Sequence, residues 1–149
     1  DEWDRGFPIM HSFTEVVRSK LPEKFPNLRF GFIEAGASWI PYMVSQVGAH
    51  IRQAERGQEK VLPSLYELAP ELFRNNRAFI TVDLIDDIEN ILKFGTEDNL
   101  MIGTDYSHTD ISANLEAFGG VQSWIDEGRI SSPQAEKLLN SNAREFYGL

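Results

Sequence analysis

The run LMIGTD at positions 100–105 places an apolar, β-prone segment directly before a threonine and an acid. Short segments that are apolar at successive positions are typical of strands buried on both faces of a parallel sheet. Two similar runs precede it: LRFGFI at 28–33, which ends at Glu34, and AFITV at 78–82. We therefore predict three parallel strands, at about 28–34, 78–82 and 99–103.

Helical patterns alternate with these strands. After the first strand, Ile40, Val44, Val47 and Ile51 recur at the spacing of one apolar helix face, and Ser38 is a candidate N-cap. Because helices separate the strands, the pattern predicts a parallel sheet with right-handed crossovers. The other predicted helices cover about 9–20, about 84–94 with Asp83 as cap, and about 111–118, 121–127 and 133–147. A short helix and turn is predicted for the segment that the chain reaches through Pro63 and Pro70.

Three strands cannot close a barrel, and a complete (β/α) barrel usually needs about 250 residues. We therefore expect residues 1–149 to form a single α/β domain, the C-terminal half of a (β/α)8 TIM-type barrel. A small open sheet is the alternative. Without the N-terminal half, one edge of the parallel sheet is exposed. We expect that half as the partner of this edge; in its absence we expect a homo-oligomer or aggregation.

Composition narrows the class of protein. The chain has 149 residues, of which 42% are apolar, which is enough for one globular core. Its formal net charge of -9 repels phosphate backbones and anionic lipids, so we expect neither a nucleic-acid nor a membrane partner. The absence of cysteine fits a reducing, cytoplasmic location and leaves His, Asp and Glu as potential metal ligands.

Two acids follow predicted strands. Glu34 ends the first strand and Asp105 follows the third. Ligands of parallel α/β sheets collect beyond the carboxyl ends of the strands, so both carboxylates are expected in one pocket, although they lie far apart in the chain. The alternative is that each acid caps a helix or pairs with a nearby cation.

The segment GTDYSHTD at 103–110 brings carboxylates, an imidazole, a phenol and hydroxyls together. The spacing of His108 from Asp105 permits a carboxylate–histidine pair, a common arrangement around metals, although a hydrogen-bonded turn is the alternative. Asp110 is assigned to capping the next helix. Trp39 and Tyr106 border the same predicted mouth, where aromatic rings can pack on a flat or cyclic substrate; core packing explains them equally well.

Three segments carry a family resemblance. Residues 103–110 resemble the G-(S/T)-D-Y-P-H segment that follows the last barrel strand in the amidohydrolase-2 group, which includes relatives of aminocarboxymuconate-semialdehyde decarboxylase. FPNLRFGFIEAG at 25–36 is similar to the group's entry into strand six, and AEKLLNSNAREFYGL at 135–149 is similar to its final helix. The resemblance covers nearly the whole chain and implies a metal-dependent enzyme.

The same resemblance implies roles for single residues. Asp105 would ligate or face a divalent metal, typically zinc, with manganese or magnesium as alternatives. The family's His-x-His and strand-five His do not occur here, and His11 and His50 fall on predicted helices. Glu34 stands where decarboxylase-like members carry a His and could serve as a general base. Gln46 stands near the place of their substrate-binding Arg.

The expected function is that of a metal-dependent hydrolase or non-oxidative decarboxylase. Its substrate would be small, carboxylated and cyclic or aromatic. Asp105 and Glu34 are the expected catalytic residues, and Trp39, Tyr106 and His108 are the expected substrate contacts. The alternative is a non-catalytic fragment or interaction module that lacks the N-terminal metal ligands, and we expect this chain alone to be inactive.

Overall fold

The computed structural model describes residues 6–54, 56, 63–109, 113 and 115–149. Helices alternate with three strands, as the sequence predicts. The elements are α1 (Gly6–Arg18), α2 (Leu21–Lys24), β1 (Phe30–Phe32), α3 (Ile40–Ala54), α4 (Leu65–Asn75), β2 (Ala78–Val82), α5 (Ile88–Leu92), β3 (Leu100–Ile102), α6 (Ala117–Asp126), α7 (Ser132–Glu136), a π-helical turn (Lys137–Ser141) and α8 (Asn142–Tyr147).

The strands form one parallel sheet in the order β1-β2-β3. Phe32 pairs with Ile80, and Ile80 pairs with Leu100, so β2 is the middle strand. This confirms the predicted α/β class, with strands at the predicted places. The ladders of β1 and β3 are shorter than predicted, whereas β2 matches 78–82. All five residues of β2 are buried, because it is covered on both faces.

Alternation along β2 separates the two faces of the sheet. Ala78, Ile80 and Val82 belong to the main core, beneath the helices, whereas Phe79 and Thr81 point to the opposite face. The core also holds an aromatic cluster whose ring centroids lie 5.3–6.4 Å apart. Its members are Phe13, Phe32, Trp39 and Phe73.

The segment around Pro70 forms a longer helix than expected, α4. Ser64 caps α4, and Glu67 returns the bond to the Ser64 backbone in a capping box. Pro70 lies inside the helix, where it omits one backbone bond, while Leu72 and Phe73 are buried against the sheet. Burial of this apolar face outweighs the helix-breaking tendency of the proline.

The helix predicted at 84–94 with Asp83 as its cap is wrong in its first half. The helix α5 begins at Ile88, and its N-cap is Asp87, which accepts from the backbone N–H of Asn90. Residues 83–87 form a turn instead, since the Asp86 carboxylate is buried and bonded to a neighbouring loop. The hydroxyl of Ser38, the predicted cap of α3, donates to that same carboxylate.

The C-terminal helical run confirms the prediction at 133–147, although its cap is Ser131, which forms a capping box with Gln134. The Asn142 amide donates to the carbonyls of Glu97 and Leu100 at 2.7 Å each, which attaches α8 to the start of β3. Phe146 stacks near Phe79, with ring centroids 5.5 Å apart. It therefore covers the inner face of the sheet, opposite the core helices and near the amino ends of the strands.

Two expectations fall partly or wholly outside the described residues. Asp110 is one of them, and the helix predicted at 111–118 is described only from residue 115 onward apart from residue 113. Ordered helix begins at Ala117 with α6. No helix within the described part of the chain combines the length and apolarity needed to cross a bilayer.

Candidate active site

Glu34 and Asp105 both lie at the carboxyl end of the sheet, where the strands lead into loops. Glu34 follows β1 and Asp105 follows β3, both at the carboxyl ends, with β2 between the two strands. Two strand spacings separate β1 from β3, about 10 Å. Both residues therefore lie at the carboxyl ends of the strands, as the topology predicts. Asp105 is partly buried, with 22% of its side chain exposed, whereas Glu34 is exposed.

The backbone at both acids is left-handed. Glu34 has a φ of 64°, Asp105 has a φ of 47° and Ser107 has a φ of 84°. Positive φ is uncommon outside glycine, costs about 1 kcal/mol or more and clusters at functional sites. Aspartate tolerates this conformation better than glutamate does, so the backbone of Glu34 is the more strained of the two.

Thr81 lies between the two strand ends. Its hydroxyl accepts a hydrogen bond from the backbone N–H of Glu34 at 3.1 Å. On its other side, a Cβ added at Gly103 would lie 3.3 Å from the Cβ of Thr81, so glycine permits this close approach of β3. The sequence reasoning missed Thr81. The signal was a single hydroxyl in the otherwise apolar run AFITV.

Asp105 and His108 are close neighbours in the loop that follows β3. Nδ1 of His108 lies 3.9 Å from Oδ2 of Asp105, beyond hydrogen-bonding distance but close enough for an ion pair when the imidazole is protonated. The backbone N–H of His108 donates to the Asp105 carbonyl at 3.1 Å. The hydrogen-bonded turn and the carboxylate–histidine proximity, which the sequence left as alternatives, are therefore both present.

Trp39 and Tyr106, the two aromatic residues expected to contact substrate, lie in different environments. Trp39 is buried in the aromatic core, and its indole N–H donates to the Gly36 carbonyl at 2.9 Å. The structure therefore shows core packing for Trp39, whose ring contacts the other rings of the aromatic cluster. Tyr106, in contrast, is 78% exposed at the carboxyl edge, next to Asp105.

Comparison with known proteins identifies the family. A family model described as "Amidohydrolase" matches residues 8–149, nearly the whole chain. The chain belongs to this amidohydrolase family. The family match confirms the resemblance seen in the segments around Glu34 and Asp105 and in the final helix.

A solved structure shares the amidohydrolase fold. It is an amidohydrolase from Mycobacterium avium subsp. paratuberculosis K-10, 16% identical, with a TM-score of 0.60 over 89% of this chain. The match covers 31% of that protein, so the chain spans about a third of the length of the amidohydrolase that it resembles. The three strands and their helices are thus part of a TIM-type barrel. The comparison with curated proteins gave no match.

Amidohydrolases of this family generally use divalent metals, and the donor set can be compared with that need. A catalytic zinc site takes three protein ligands and keeps a position for water. Across the described ranges no group of three metal-ligating side chains occurs. His11 and His50 lie on the helices α1 and α3, as predicted, and both are exposed. The described residues therefore do not complete a metal site by themselves.

Proposed function

We propose that the protein containing this chain is a metal-dependent hydrolase that cleaves a C–N or C–O bond in a small molecule. The observation that carries the proposal is the pair of acids, Glu34 and Asp105, at one carboxyl edge of an amidohydrolase sheet. Their left-handed backbones support it, since strain of this kind concentrates where side chains must be aimed.

Asp105 would hold a divalent cation, zinc or alternatively manganese or magnesium. Such a cation, when bound, polarises the bond under attack and lowers the pKa of water. Glu34 would act as the general base: its carboxylate accepts the proton of the attacking water and returns it to the leaving group. The exposure of Glu34 leaves its side chain accessible to water.

Hydrolysis is favoured over non-oxidative decarboxylation by two positions. Glu34 stands where decarboxylase-like relatives carry a His, and Gln46 stands near the place of their substrate-binding Arg. Both exchanges remove groups that a decarboxylase of that branch uses, whereas a carboxylate is suited to activating water. A small carboxylated ring compound remains a suitable substrate class, because exposed Tyr106 and neighbouring His108 offer a ring face and an imidazole.

The remaining ligands would come from an N-terminal half of the barrel. This follows from the lack of a three-ligand group among the described residues and from the limited share of the related amidohydrolase that the chain spans. The same lack of a ligand group favours a second candidate, a non-catalytic module that retains the fold without the chemistry.

Metal content separates the two candidates. The protein expressed from its complete reading frame should contain about one divalent metal per chain by elemental analysis. The Asp105→Ala variant should bind zinc at least about tenfold more weakly in a titration. A protein without metal would favour the non-catalytic module, whereas a variant with unchanged affinity would remove Asp105 from the ligand set.

Light scattering of the isolated 149-residue chain tests the need for the missing half. An open edge should produce dimers or larger species. A stable monomer of 17.0 kDa would show that this part of the barrel needs no partner.

A further inference from the structure

Asp86 is a buried acid that belongs to neither half of the proposed catalytic pair. It is 5% exposed and lies in the turn that follows β2. Its two oxygens accept four hydrogen bonds. Oδ2 accepts from the backbone N–H of Ala37 at 2.8 Å and of Asp83 at 2.9 Å. Oδ1 accepts from the backbone N–H of Ser38 at 3.0 Å and from the Ser38 hydroxyl.

These bonds join two loops of the candidate active site. Ala37 and Ser38 belong to the loop 33–39, which carries Glu34, whereas Asp83 follows β2 directly. The carboxylate is satisfied by protein donors, three of them backbone N–H groups, so it is not available as a base or a metal ligand. A buried carboxylate with this set of donors fixes the geometry of the chain around it.

The loop is shaped to receive this carboxylate. Gly36 has a φ of 59°, and a Cβ at that position would lie 3.1 Å from each Asp86 oxygen. Glycine therefore permits both the left-handed backbone and the close approach. With the Thr81 hydroxyl bonded to the Glu34 N–H at the start of the loop, the loop is held at both ends.

We propose that Asp86 is a positioning residue that locks the loop 33–39 against the end of β2 and thereby aims the Glu34 carboxylate. This inference rests on the proposed function for its catalytic consequence, but the lock itself is a property of the fold. The fixation of the loop by Asp86 and its effect on catalysis can therefore be refuted separately, and each has its own measurement.

The Asp86→Asn variant is the sharpest test, because asparagine keeps the shape but exchanges one oxygen for an NH2 group. If the NH2 group replaces Oδ2, it faces two backbone N–H groups. If it replaces Oδ1, it faces the N–H of Ser38, and only the Ser38 hydroxyl can turn to accept. Either orientation sets donor against donor, so at least one bond to the loop is lost.

Asp87→Asn is the matched control. It removes the same charge at the adjacent position, but Asp87 is an exposed N-cap, where asparagine serves equally well. Ser38→Ala is a milder second variant, since it removes only the hydroxyl donor to Asp86. It keeps the test decisive if Asp86→Asn does not fold.

The first measurement is residue-resolved amide hydrogen exchange in the protein from its complete reading frame. Asp86→Asn should accelerate exchange at Ala37 and Ser38 by about tenfold or more, while Ile80 in β2 stays protected. Ser38→Ala should accelerate amide exchange at position 38 by a smaller factor. Asp87→Asn should leave the exchange rates of all three amides unchanged. Unchanged exchange of the loop amides in the folded Asp86→Asn variant, or in Ser38→Ala if Asp86→Asn does not fold, overturns the lock.

The second measurement is a double-mutant cycle on kcat with p-nitrophenyl acetate, an activated ester that reacts with any activated water. Asp86→Asn should lower kcat by about tenfold to a hundredfold in the parent protein and have almost no further effect in a Glu34→Gln background. Equal losses in both backgrounds would show a merely structural role and overturn the link to Glu34. If the parent protein itself does not hydrolyse the ester, the proposed function loses its support, while the exchange measurement still decides the lock.

Discussion

The backbone N–H of Glu34 donates to the hydroxyl of Thr81 across the gap between β1 and β2, at 3.1 Å. This bond joins a residue in left-handed backbone to the buried middle strand of the sheet. The conformation of Glu34 therefore depends on a side chain that lies far away in the sequence. A threonine inside a buried strand needs a hydrogen-bonding partner, and here the partner belongs to the candidate active site.

Replacing Thr81 with valine should weaken the site more than the fold. Valine keeps the β-branched shape but offers no acceptor to the Glu34 N–H. We expect a loss of about 1 kcal/mol in the free energy of unfolding and a roughly tenfold fall in kcat. Thr96→Val is the matched control: Thr96 is also buried and donates to the Ile91 carbonyl, so stability should fall similarly without a change in kcat. An equal fall in kcat in Thr81→Val and Thr96→Val would contradict a specific role of Thr81 in the site.

Asp105→Asn should release the metal without unfolding the chain. The amide is a weaker and uncharged ligand, so metal content after dialysis should fall well below that of the parent protein. The control is Asp98→Asn, at the opposite end of β3, where Asp98 pairs with Lys137. Inductively coupled plasma analysis measures both variants. A parent-like metal content in Asp105→Asn would remove Asp105 from the ligand set.

Glu34 should show opposite effects on activity and stability. Glu34→Gly relieves the left-handed strain, so the free energy of unfolding should stay level or rise by about 0.5 kcal/mol, while kcat falls by about 10²–10⁴-fold. Lys20→Gly, at a φ of 54°, should relieve strain without changing kcat. Thermal unfolding and steady-state kinetics test both. A Tm that falls by several degrees in Glu34→Gly would contradict the strain at this position.

The ionic cluster before β3 predicts how stability depends on pH. Hydrogen bonds from Lys137 and Gln134 lower the pKa of Glu97 below its usual 4.5, and bonds to Asp98 and Glu97 raise the pKa of Lys137 above its usual 10.5. The Glu97 contribution is present above pH 4.5 and is lost as the pH falls through the lowered pKa. The Lys137 contribution is present below pH 10.5 and is lost as the pH rises through the raised pKa.

Lys137→Met should therefore lower the free energy of unfolding between these limits by no more than about 1 kcal/mol, because all three side chains are partly exposed. Urea titrations at pH 7 and pH 3 should show the difference shrinking at acid pH. Lys20→Met removes a more exposed pair with Glu23 and should change stability less. A difference that stays constant with pH would show that lost packing, rather than charge, is responsible.

The sheet and the placement of its acids could be predicted from the sequence. Apolar runs mark buried parallel strands whatever their neighbours are, and the topology then brings Glu34 and Asp105 to one edge. The details of the loops could not be predicted in this way. Asp86 lies within the helix predicted at 84–94, yet its carboxylate is bonded to Ala37 and Ser38, which are distant in sequence.

Trp39 and the helix α4 illustrate the same limit. An aromatic residue after a strand-end acid fits a pocket wall and a core equally well, and only the rings of Phe13, Phe32 and Phe73 decide for the core. A short helix and turn is expected near Pro70, but the Ser64 capping box and the buried face of α4 maintain a longer helix through the proline. In both cases tertiary packing decides between local alternatives.

Phe146 affects how a small molecule can approach one face of the sheet. Its ring fills the space above Gly31 so closely that a Cβ there would lie 2.7 Å from its Cζ atom, and it also covers Phe79. The helix α8 therefore covers this face of the sheet near the amino ends of the strands. Within the described part of the sheet, a reactant that approaches this face would therefore do so from the carboxyl ends of the strands, where Tyr106 is exposed.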